Sequence, residues 1–199
     1  MKKLLILMGL LFYILVGAQN GLIKKYSFAI DANYAIALGD NFLNKGYKDK
    51  PGFDIEFQYN LKRNFFTGIG FQATYTNVYD KNLIGNFDSS YSLNLFLYGG
   101  YRHFLKPQKL YLEHRIGLGH KEIINKSDLS NYYITGTTFL VASKVNYCLN
   151  ANWHIYSGFD YNYTHYNISL VGPYRNFFSN SHQIIPVVGI KYLFGRNSE

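Results

Sequence analysis

The strictest pattern in the chain is an alternation of apolar and polar residues over residues 52–61. Phe53, Ile55, Phe57, Tyr59 and Leu61 alternate with acidic and amide side chains. Successive side chains of a β-strand point to opposite faces, whereas the 3.6-residue period of a helix would scatter these residues around its axis. The segment is therefore a strand with one apolar and one polar face.

The same two-residue period recurs along the chain with turn-like segments between the repeats. We predict eight strands, at residues 25–38, 52–61, 65–78, 90–102, 109–121, 132–148, 153–167 and 182–194. The connections alternate between long and short, and residues 62–64 and 149–152 have the composition of tight turns. An even number of up-and-down strands places both termini at the end with the short turns. The prediction is an all-β antiparallel barrel.

The polar face of these strands indicates which side of the barrel meets the solvent. It carries small and amide residues such as Gly68, Gly70, Gln72, Thr74 and Thr76 rather than the Lys and Glu of a water-facing surface. Charged residues make up only 16% of the chain and aromatics 19%. An eight-stranded lumen is too narrow for so many large apolar side chains. We therefore expect the apolar face to contact lipid. A soluble lipocalin-like barrel with the apolar face inside is the alternative.

Aromatic residues are predicted at both rims of the barrel, as expected for the interfacial girdles of a membrane barrel. The short-turn rim would carry Tyr26, Phe65, Tyr101, Trp153 and Tyr192, and the long-loop rim Tyr75, Tyr91, Tyr133 and Tyr163.

Residues 1–18 have the organisation of a secretory signal peptide. Lys2 and Lys3 precede an apolar run that ends at the small residues Gly17 and Ala18. The run is too short for a membrane-spanning helix. Residues 19–199 then form a single domain. Cys148 is the only cysteine, so the exported domain has no internal disulfide.

The last predicted strand carries a specific motif. Gly189, Tyr192 and Phe194 fit a Gly-x-x-aromatic-x-aromatic pattern, although residues 195–199 follow it. With this motif the chain resembles the small eight-stranded outer-membrane barrels of the OmpA-like and OmpX-like family. The resemblance implies a bacterial outer-membrane location, outer-membrane lipid and lipopolysaccharide as surroundings, and the barrel-assembly machinery as the partner that reads the motif. It implies activity much less strongly than fold.

The polar face would bring ionisable residues into the lumen. Five acids and four bases are expected there: Asp31, Asp54, Glu56, Glu113, Asp160, Arg102, Arg115, Lys144 and Lys191. Counting along the strands puts Asp31, Glu56, Arg115 and Asp160 near mid-height, and Arg102, Glu113, Lys144, Lys191 and His154 towards the short-turn end. Because isolated buried charges are costly, we expect a paired polar network that plugs the lumen. A narrow ion channel, in which the charges exchange partners, is the alternative.

An enzymatic alternative is a barrel that modifies lipid A. His165 would face lipid near the outer rim, as in the deacylases of this kind. The resemblance fails at the neighbouring residues, because the Ser and the later acid of their His-x-Ser-Asn pattern are missing around His165-Tyr166-Asn167. We expect no enzymatic activity, no cofactor and no metal site. The basic residues are scattered, so nucleic-acid binding is not expected either. A monomer is the expected state.

The long loops are where surface specificity is expected. Residues 39–51 carry Lys45, Lys48 and Lys50, and residues 168–181 carry Tyr174 and Arg175. Basic groups beside aromatics at an outer rim are suited to lipopolysaccharide phosphates or to an anionic host surface. A solvated loop with incidental charge is the alternative.

Overall fold

The fold is built almost entirely from β-strands. The computed structural model describes residues 23–87, 89–106, 109–127, 131–168, 172 and 174–197, so the predicted signal peptide lies outside the described residues. The strands are β1 (Lys24–Tyr34), β2 (Ile36–Leu38), β3 (Tyr47–Asn60), β4 (Phe65–Val78), β5 (Ser89–Lys106), β6 (Leu110–Lys126), β7 (Asn131–Cys148), β8 (Trp153–Tyr166) and β9 (Asn180–Asn197).

The strands form one closed antiparallel sheet. From β3 to β9 each strand pairs with the next along the chain, and β1 pairs with both β3 and β9. β2 follows β1 after Ala35 and continues along the edge of β9. β1 and β2 therefore occupy one strand position of the barrel wall. The predicted ring of eight antiparallel strands is confirmed.

Closure follows from the environment of the apolar face. Lipid cannot hydrogen-bond to the backbone, so a sheet edge exposed to it is expensive, and a ring has no such edge.

The connections differ between the two ends of the barrel. At one end, the short-turn end, residues 61–64, 107–109 and 149–152 connect strands. At the other, the long-loop end, three short helices lie in the loops: α1 (Phe42–Gly46), α2 (Lys81–Ile84) and α3 (Arg175–Ser179). None of the helices in the described part of the chain is long and apolar enough to cross a membrane.

One predicted long connection is short. β6 and β7 stay paired up to Lys126 and Asn131, so only residues 127–130 connect them. The sequence prediction ended β6 too early because residues 122–126 do not alternate cleanly. Cross-strand pairing with β7 extends the strand despite this local pattern.

The apolar face points outward, as predicted. In β3, Phe53 and Phe57 are 38% and 41% exposed, whereas Asp54 and Glu56 between them are 0% and 1% exposed. The same alternation of exposed apolar and buried residues runs along β1 and β9. The lipocalin-like alternative, with the apolar face inside, is therefore wrong.

Glycines of the inner face make room for aromatic side chains in the lumen. A Cβ added at Gly70 would collide with the ring of Phe96, and one at Gly68 would collide with Tyr98. Both aromatic residues come from the neighbouring strand β5 and are buried. These glycines therefore accommodate the larger side chains of β5.

Outward aromatics pair at the rims of the barrel. At the short-turn end Phe65 packs edge-on against Tyr101 at 5.2 Å between ring centroids, and Trp153 lies 4.7 Å from Tyr192. At the long-loop end Tyr75 and Tyr133 are 58% and 51% exposed. Rings with an apolar body and a polar edge are suited to the membrane interface.

The outward orientation predicts a depth-dependent cost of placing charge on β5. Leu97 and Leu105 are 66% and 49% exposed on the same face, but Leu105 lies near the short-turn rim. Leu97→Arg should lower the free energy of unfolding by about 2–4 kcal/mol, because the charge is held in hydrocarbon. Leu105→Arg, the matched control, should cost about 1 kcal/mol or less because it can reach the interface.

The measurement is urea unfolding in lipid vesicles followed by the fluorescence of Trp153, the only tryptophan. Folding of each variant is checked first by a difference in gel mobility between boiled and unboiled samples. Equal losses for the two arginine variants would contradict the membrane-embedded position of Leu97.

Candidate functional site

The lumen holds all nine ionisable residues that the sequence predicted for it. Each is at most 4% exposed. They come from seven strands, and the positions are Asp31, Asp54, Glu56, Arg102, Glu113, Arg115, Lys144, Asp160 and Lys191. Alternation alone accounts for this convergence, since every second residue of a closed barrel points to its axis.

Glu113 is the carboxylate with the most cationic partners. Its Oε1 accepts a hydrogen bond from Arg102 Nη2 at 2.8 Å. Its Oε2 accepts from Arg115 Nη2 at 2.9 Å and from Lys191 Nζ at 2.6 Å. The three cations come from β5, β6 and β9, so Glu113 ties together opposite parts of the wall. Charge-assisted bonds of this length are among the strongest that side chains form.

Arg115 joins this cluster to a second one around Glu56. Arg115 Nη1 donates to Glu56 Oε2 at 2.6 Å, while its Nη2 is bound to Glu113. Glu56 Oε1 accepts from Lys144 Nζ at 2.8 Å. The planar guanidinium therefore bridges two carboxylates through two different nitrogens, whose relative directions are fixed by the rigid group.

Lys144 extends the network towards two aspartates. Its Nζ lies 3.5 Å from Asp31 Oδ2 and 3.8 Å from Asp160 Oδ2. Strand counting grouped Lys144 with Glu113, but its ion pairs are with Glu56, Asp31 and Asp160. A flexible four-carbon side chain moves the charge away from the height of its Cα, and strand counting does not register this.

Asp54 is stabilised by amides rather than by a direct ion pair. Its Oδ1 accepts from Asn33 Nδ2 at 2.6 Å and its Oδ2 from Gln72 Nε2 at 3.1 Å. Asn162 in turn donates to Gln72 Oε1 at 3.2 Å. The polar network thus continues above the ion pairs as a layer of amides.

Lys121 is a lumen cation that the sequence prediction missed. It is 3% exposed, its Nζ donates to Gln183 Oε1, and it lines a small cavity with Asp49. Lys121 shares the strand parity of Glu113 and Arg115, so the alternation along β6 contained the signal. It was overlooked because the predicted strand ended at that residue.

An apolar cluster lies in the lumen at the short-turn end. It consists of Ile23, Tyr111, Cys148 and Leu193, with Phe104 packed against it. Tyr111 is fully buried, and its hydroxyl is 2.8 Å from His154 Nδ1. The ionic network therefore lies above a layer of tightly packed side chains.

A larger apolar cluster lies at the long-loop end. Its buried members are Phe42, Leu43, Tyr47, Ile123, Ile134 and Tyr166. Helix α1 turns into the mouth, so Phe42 packs edge-on against Tyr166 at 5.1 Å and stacks on Phe178 of α3 at 6.0 Å. Asn41 caps α1 by accepting from the backbone N–H of Asn44 at 3.1 Å. We call this layer, with α1 and α3, the loop cap.

The predicted loop residues are displayed around the loop cap. Lys45 lies on α1, where it pairs with Asp40 at 3.7 Å, and both side chains are mostly exposed. Lys48 and Lys50 are exposed on β3. Tyr174 and Arg175 are exposed at the beginning of α3. The basic groups thus come from three elements, α1, β3 and α3.

The motif of the last strand lies at the seam where the barrel closes. A Cβ at Gly189 would meet the Asp31 side chain and the Ile30 carbonyl of β1. Tyr192 stacks on Phe194 at 6.1 Å, and Phe194 stacks on Tyr26 at 5.7 Å. β9 continues past the motif to Asn197.

His165 lies on the outer surface with an amide as its partner. Its Nδ1 is 2.8 Å from Asn180 Oδ1, which also accepts from the hydroxyl of Tyr163 at 2.9 Å. Asn180 thus holds the position of the ring, where the lipid A deacylases have an acid. In the part of the chain that the structure describes, no group of three or more His, Cys, Asp or Glu residues could hold a metal ion.

Comparison with solved structures finds barrels of the same fold among bacterial proteins. Neisserial surface protein A matches with a TM-score of 0.59 and 14% identity over 86% of this chain and 98% of its own. Ail, the attachment invasion locus protein of Yersinia pestis, matches with 0.56 and 13% identity over 87% of this chain and 100% of its own. The N-terminal β-barrel domain of Pseudomonas aeruginosa OprF matches with 0.50 and 13% identity over 86% and 99%.

At these identities the matches show the fold, which is that of the small eight-stranded outer-membrane barrels. No protein-family model matches the chain, and no curated protein does.

The geometry of Glu113 predicts a large effect of removing its charge. Glu113→Gln would leave Arg102, Arg115 and Lys191 without their common carboxylate. Because unpaired buried charges are costly, we expect a loss of about 3–5 kcal/mol in the free energy of unfolding. Asp40→Asn is the control, since it neutralises an exposed carboxylate paired with Lys45 and should change stability little.

Urea unfolding in vesicles measures both variants against the unchanged protein. If Glu113→Gln were as stable as Asp40→Asn, the ionic network would have no role in holding the barrel together.

Proposed function

Starting from the fold of a small outer-membrane barrel, we propose that this protein is a non-enzymatic surface protein of the bacterial outer membrane. It anchors itself by its apolar wall, keeps its polar lumen plugged and presents the loop cap to anionic ligands. The observation that carries the proposal is that clusters of buried apolar side chains lie at both ends of the polar lumen. A barrel without a passage acts through its surfaces.

The ion pairs between these two layers favour a plug over a conduit. Arg115 contacts Glu56 and Glu113 at once, and Lys144 contacts Glu56 at 2.8 Å. A permeating ion would have to displace these charge-assisted bonds and also pass Phe42 and Tyr111, which are 1% and 0% exposed. Hydrophobic constrictions exclude hydrated ions.

Exposed basic residues around the loop cap favour an anionic partner. Lys45, Lys48, Lys50 and Arg175 stand at the end of the barrel that carries the longer loops. Lipopolysaccharide phosphates are the nearest anions for such groups in an outer membrane. One matching structure is Ail in complex with the heparin analogue sucrose octasulfate, another polyanion. The same chemistry is suited to a sulfated or phosphorylated surface.

Two further parts of the proposal concern assembly and activity. Gly189, Tyr192 and Phe194 are proposed to be read by the barrel-assembly machinery, and the folded protein is proposed to be a monomer. The interactions of His165 support the absence of a lipid-modifying activity, because its ring is bound to Asn180. A histidine that acts as a general base activates a serine or cysteine nucleophile within hydrogen-bonding distance of its ring.

The plug predicts that the reconstituted protein does not conduct. Planar bilayers that contain the folded barrel should give no steady single-channel currents, whereas an open porin in the same membrane should. Arg115→Ala is the informative variant because it removes the bridge between Glu56 and Glu113. Steady currents in the unchanged protein that Arg115→Ala abolishes would support the narrow-channel alternative instead.

The sequence prediction of a loop over residues 39–51 is wrong after Gly46, because pairing with β4 begins β3 at Tyr47. The basic residues of α1 and of the beginning of β3 predict electrostatic binding. Replacing Lys45, Lys48 and Lys50 together by Gln should weaken binding to lipopolysaccharide-containing vesicles by about tenfold at low salt, with about 0.5 kcal/mol from each exposed charge. The matched control replaces Lys62, Arg63 and Lys106, which are exposed at the short-turn end.

Binding is measured by co-flotation of the detergent-solubilised protein with the vesicles. An unchanged affinity in the first triple variant, or an equal loss in the control, would contradict a role for Lys45, Lys48 and Lys50.

A further inference from the structure

The barrel wall has a gap between β2 and β3 at the long-loop end. β1 and β3 pair from Tyr26 with Tyr59 up to Tyr34 with Pro51. Beyond this point β2 pairs with β9, and the segment from Tyr47 to Asp49 pairs with β4. Among the described residues β2 and β3 do not pair with each other, so two strand edges face one another across an opening.

Local sequence accounts for the end of the pairing. Pro51 has no N–H to donate to β1, and proline in a sheet is confined to edges and bulges. The register between β3 and β4 shifts between Asp49 and Gly52, which marks an irregularity next to the proline. On the other side Ala35 interrupts the strand between β1 and β2. The wall therefore divides at a position that both strands specify.

The opening, which we call the window, is a cleft with a volume of about 390 Å³. Its sides and back are formed by Tyr34, Ala35, Ile36, Ala37, Asn44, Tyr47, Lys48, Asp49 and Tyr79. Asn41 Nδ2 donates to Leu38 O at 2.6 Å, and Asn44 Nδ2 donates to Gly39 O at 2.8 Å. These two bonds hold the chain in place where it leaves β2, at the edge of the window. Tyr47 closes the back, where its hydroxyl donates to Asn125 Oδ1 at 3.0 Å.

The composition of the window combines an apolar side with a cationic edge. Tyr34 and Ile36 are 43% and 42% exposed on the outer surface. Lys48 is exposed on the opposite edge, with Lys50 two residues further along β3. Asp49 also lines the window, but it reaches the small cavity below the cap, which Lys121 lines as well. The outward charge of the window is therefore positive.

We propose that the window binds the phosphorylated headgroup of an anionic lipid of the outer leaflet. The phosphate lies at Lys48, where its oxygens accept from the ammonium group and from backbone N–H groups of the strand edges. The acyl chains run down the wall over Ile36 and Tyr34. A bound headgroup supplies polar partners to edges that hydrocarbon would leave unsatisfied. The inference rests on the outer-membrane location proposed above and assigns the lipid contact to one place.

The experiment places the folded protein in phosphatidylcholine nanodiscs and titrates diphosphorylated lipid A into them. Backbone amide chemical shifts report the position of the lipid. We expect saturable shifts at residues 36–38 and 47–50, and none along β7 on the far wall. Lys48→Gln should weaken the binding about fivefold, while Lys126→Gln, a neutralised basic residue at the same end outside the window, should leave it unchanged.

A second variant tests the space of the window without changing its charge. Ile36→Trp enlarges the apolar side, and a variant that folds, as judged by heat-modifiable gel mobility, should bind lipid A about tenfold more weakly. Binding by this variant as tight as by the unchanged protein would overturn the proposal. Shifts at the window that appear on raising the number of barrels per nanodisc, without lipid A, would also overturn it, since the occupant would then be a second copy.

The two proposals fail in different ways. If Lys48→Gln and Lys126→Gln weaken binding equally and the shifts spread over the whole long-loop end, the window has no specific occupant, but the surface role of the loop cap stands. If lipid A causes no shifts anywhere, lipopolysaccharide recognition fails at the loop cap and at the window together.

Discussion

The need to pair backbone hydrogen bonds away from water constrains every other feature of this barrel. A lipid-facing wall leaves no solvent for unpaired N–H and C=O groups, so the sheet has to close, and it does so where β1 meets β9. Side chains alternate between the two faces of each strand, so closing the sheet determines which residues enter the lumen. The ionic network is thus a consequence of the wall, and its charges must balance within the space that the wall encloses.

The sequence was sufficient to predict the wall and most of the lumen. The alternation around Phe53 and Glu56 determined both the strand and its orientation, because a shift by one residue would exchange the two faces. The same rule placed Arg115 beside Glu113, two residues apart on one face. The face on which each of these residues lies depends only on its position along its own strand, so tertiary contacts do not alter it.

The loop cap and the partners of long side chains could not be predicted in the same way. Helix α1 depends on Phe42 meeting Tyr166 and Phe178, which are far away in the sequence. Lys144 reaches Glu56 through a flexible side chain. The gap at Pro51 depends on β2 continuing along β9, a tertiary pairing without a local signal. Proline was visible in the sequence, but the division of the wall was not.

The position of Glu113 has a consequence for how the protein enters its membrane. Its three cationic partners are carried by β5, β6 and β9, and β9 is synthesised after the other strands of the ring. Until β9 arrives, Lys191 is missing and the carboxylate has an incomplete set of neighbours. Inserting single strands into hydrocarbon is therefore costly, because their charges are neutralised only by partners on distant strands. The energetics favour a concerted transfer, in which the cylinder is assembled with its salt links before or while it leaves the aqueous phase.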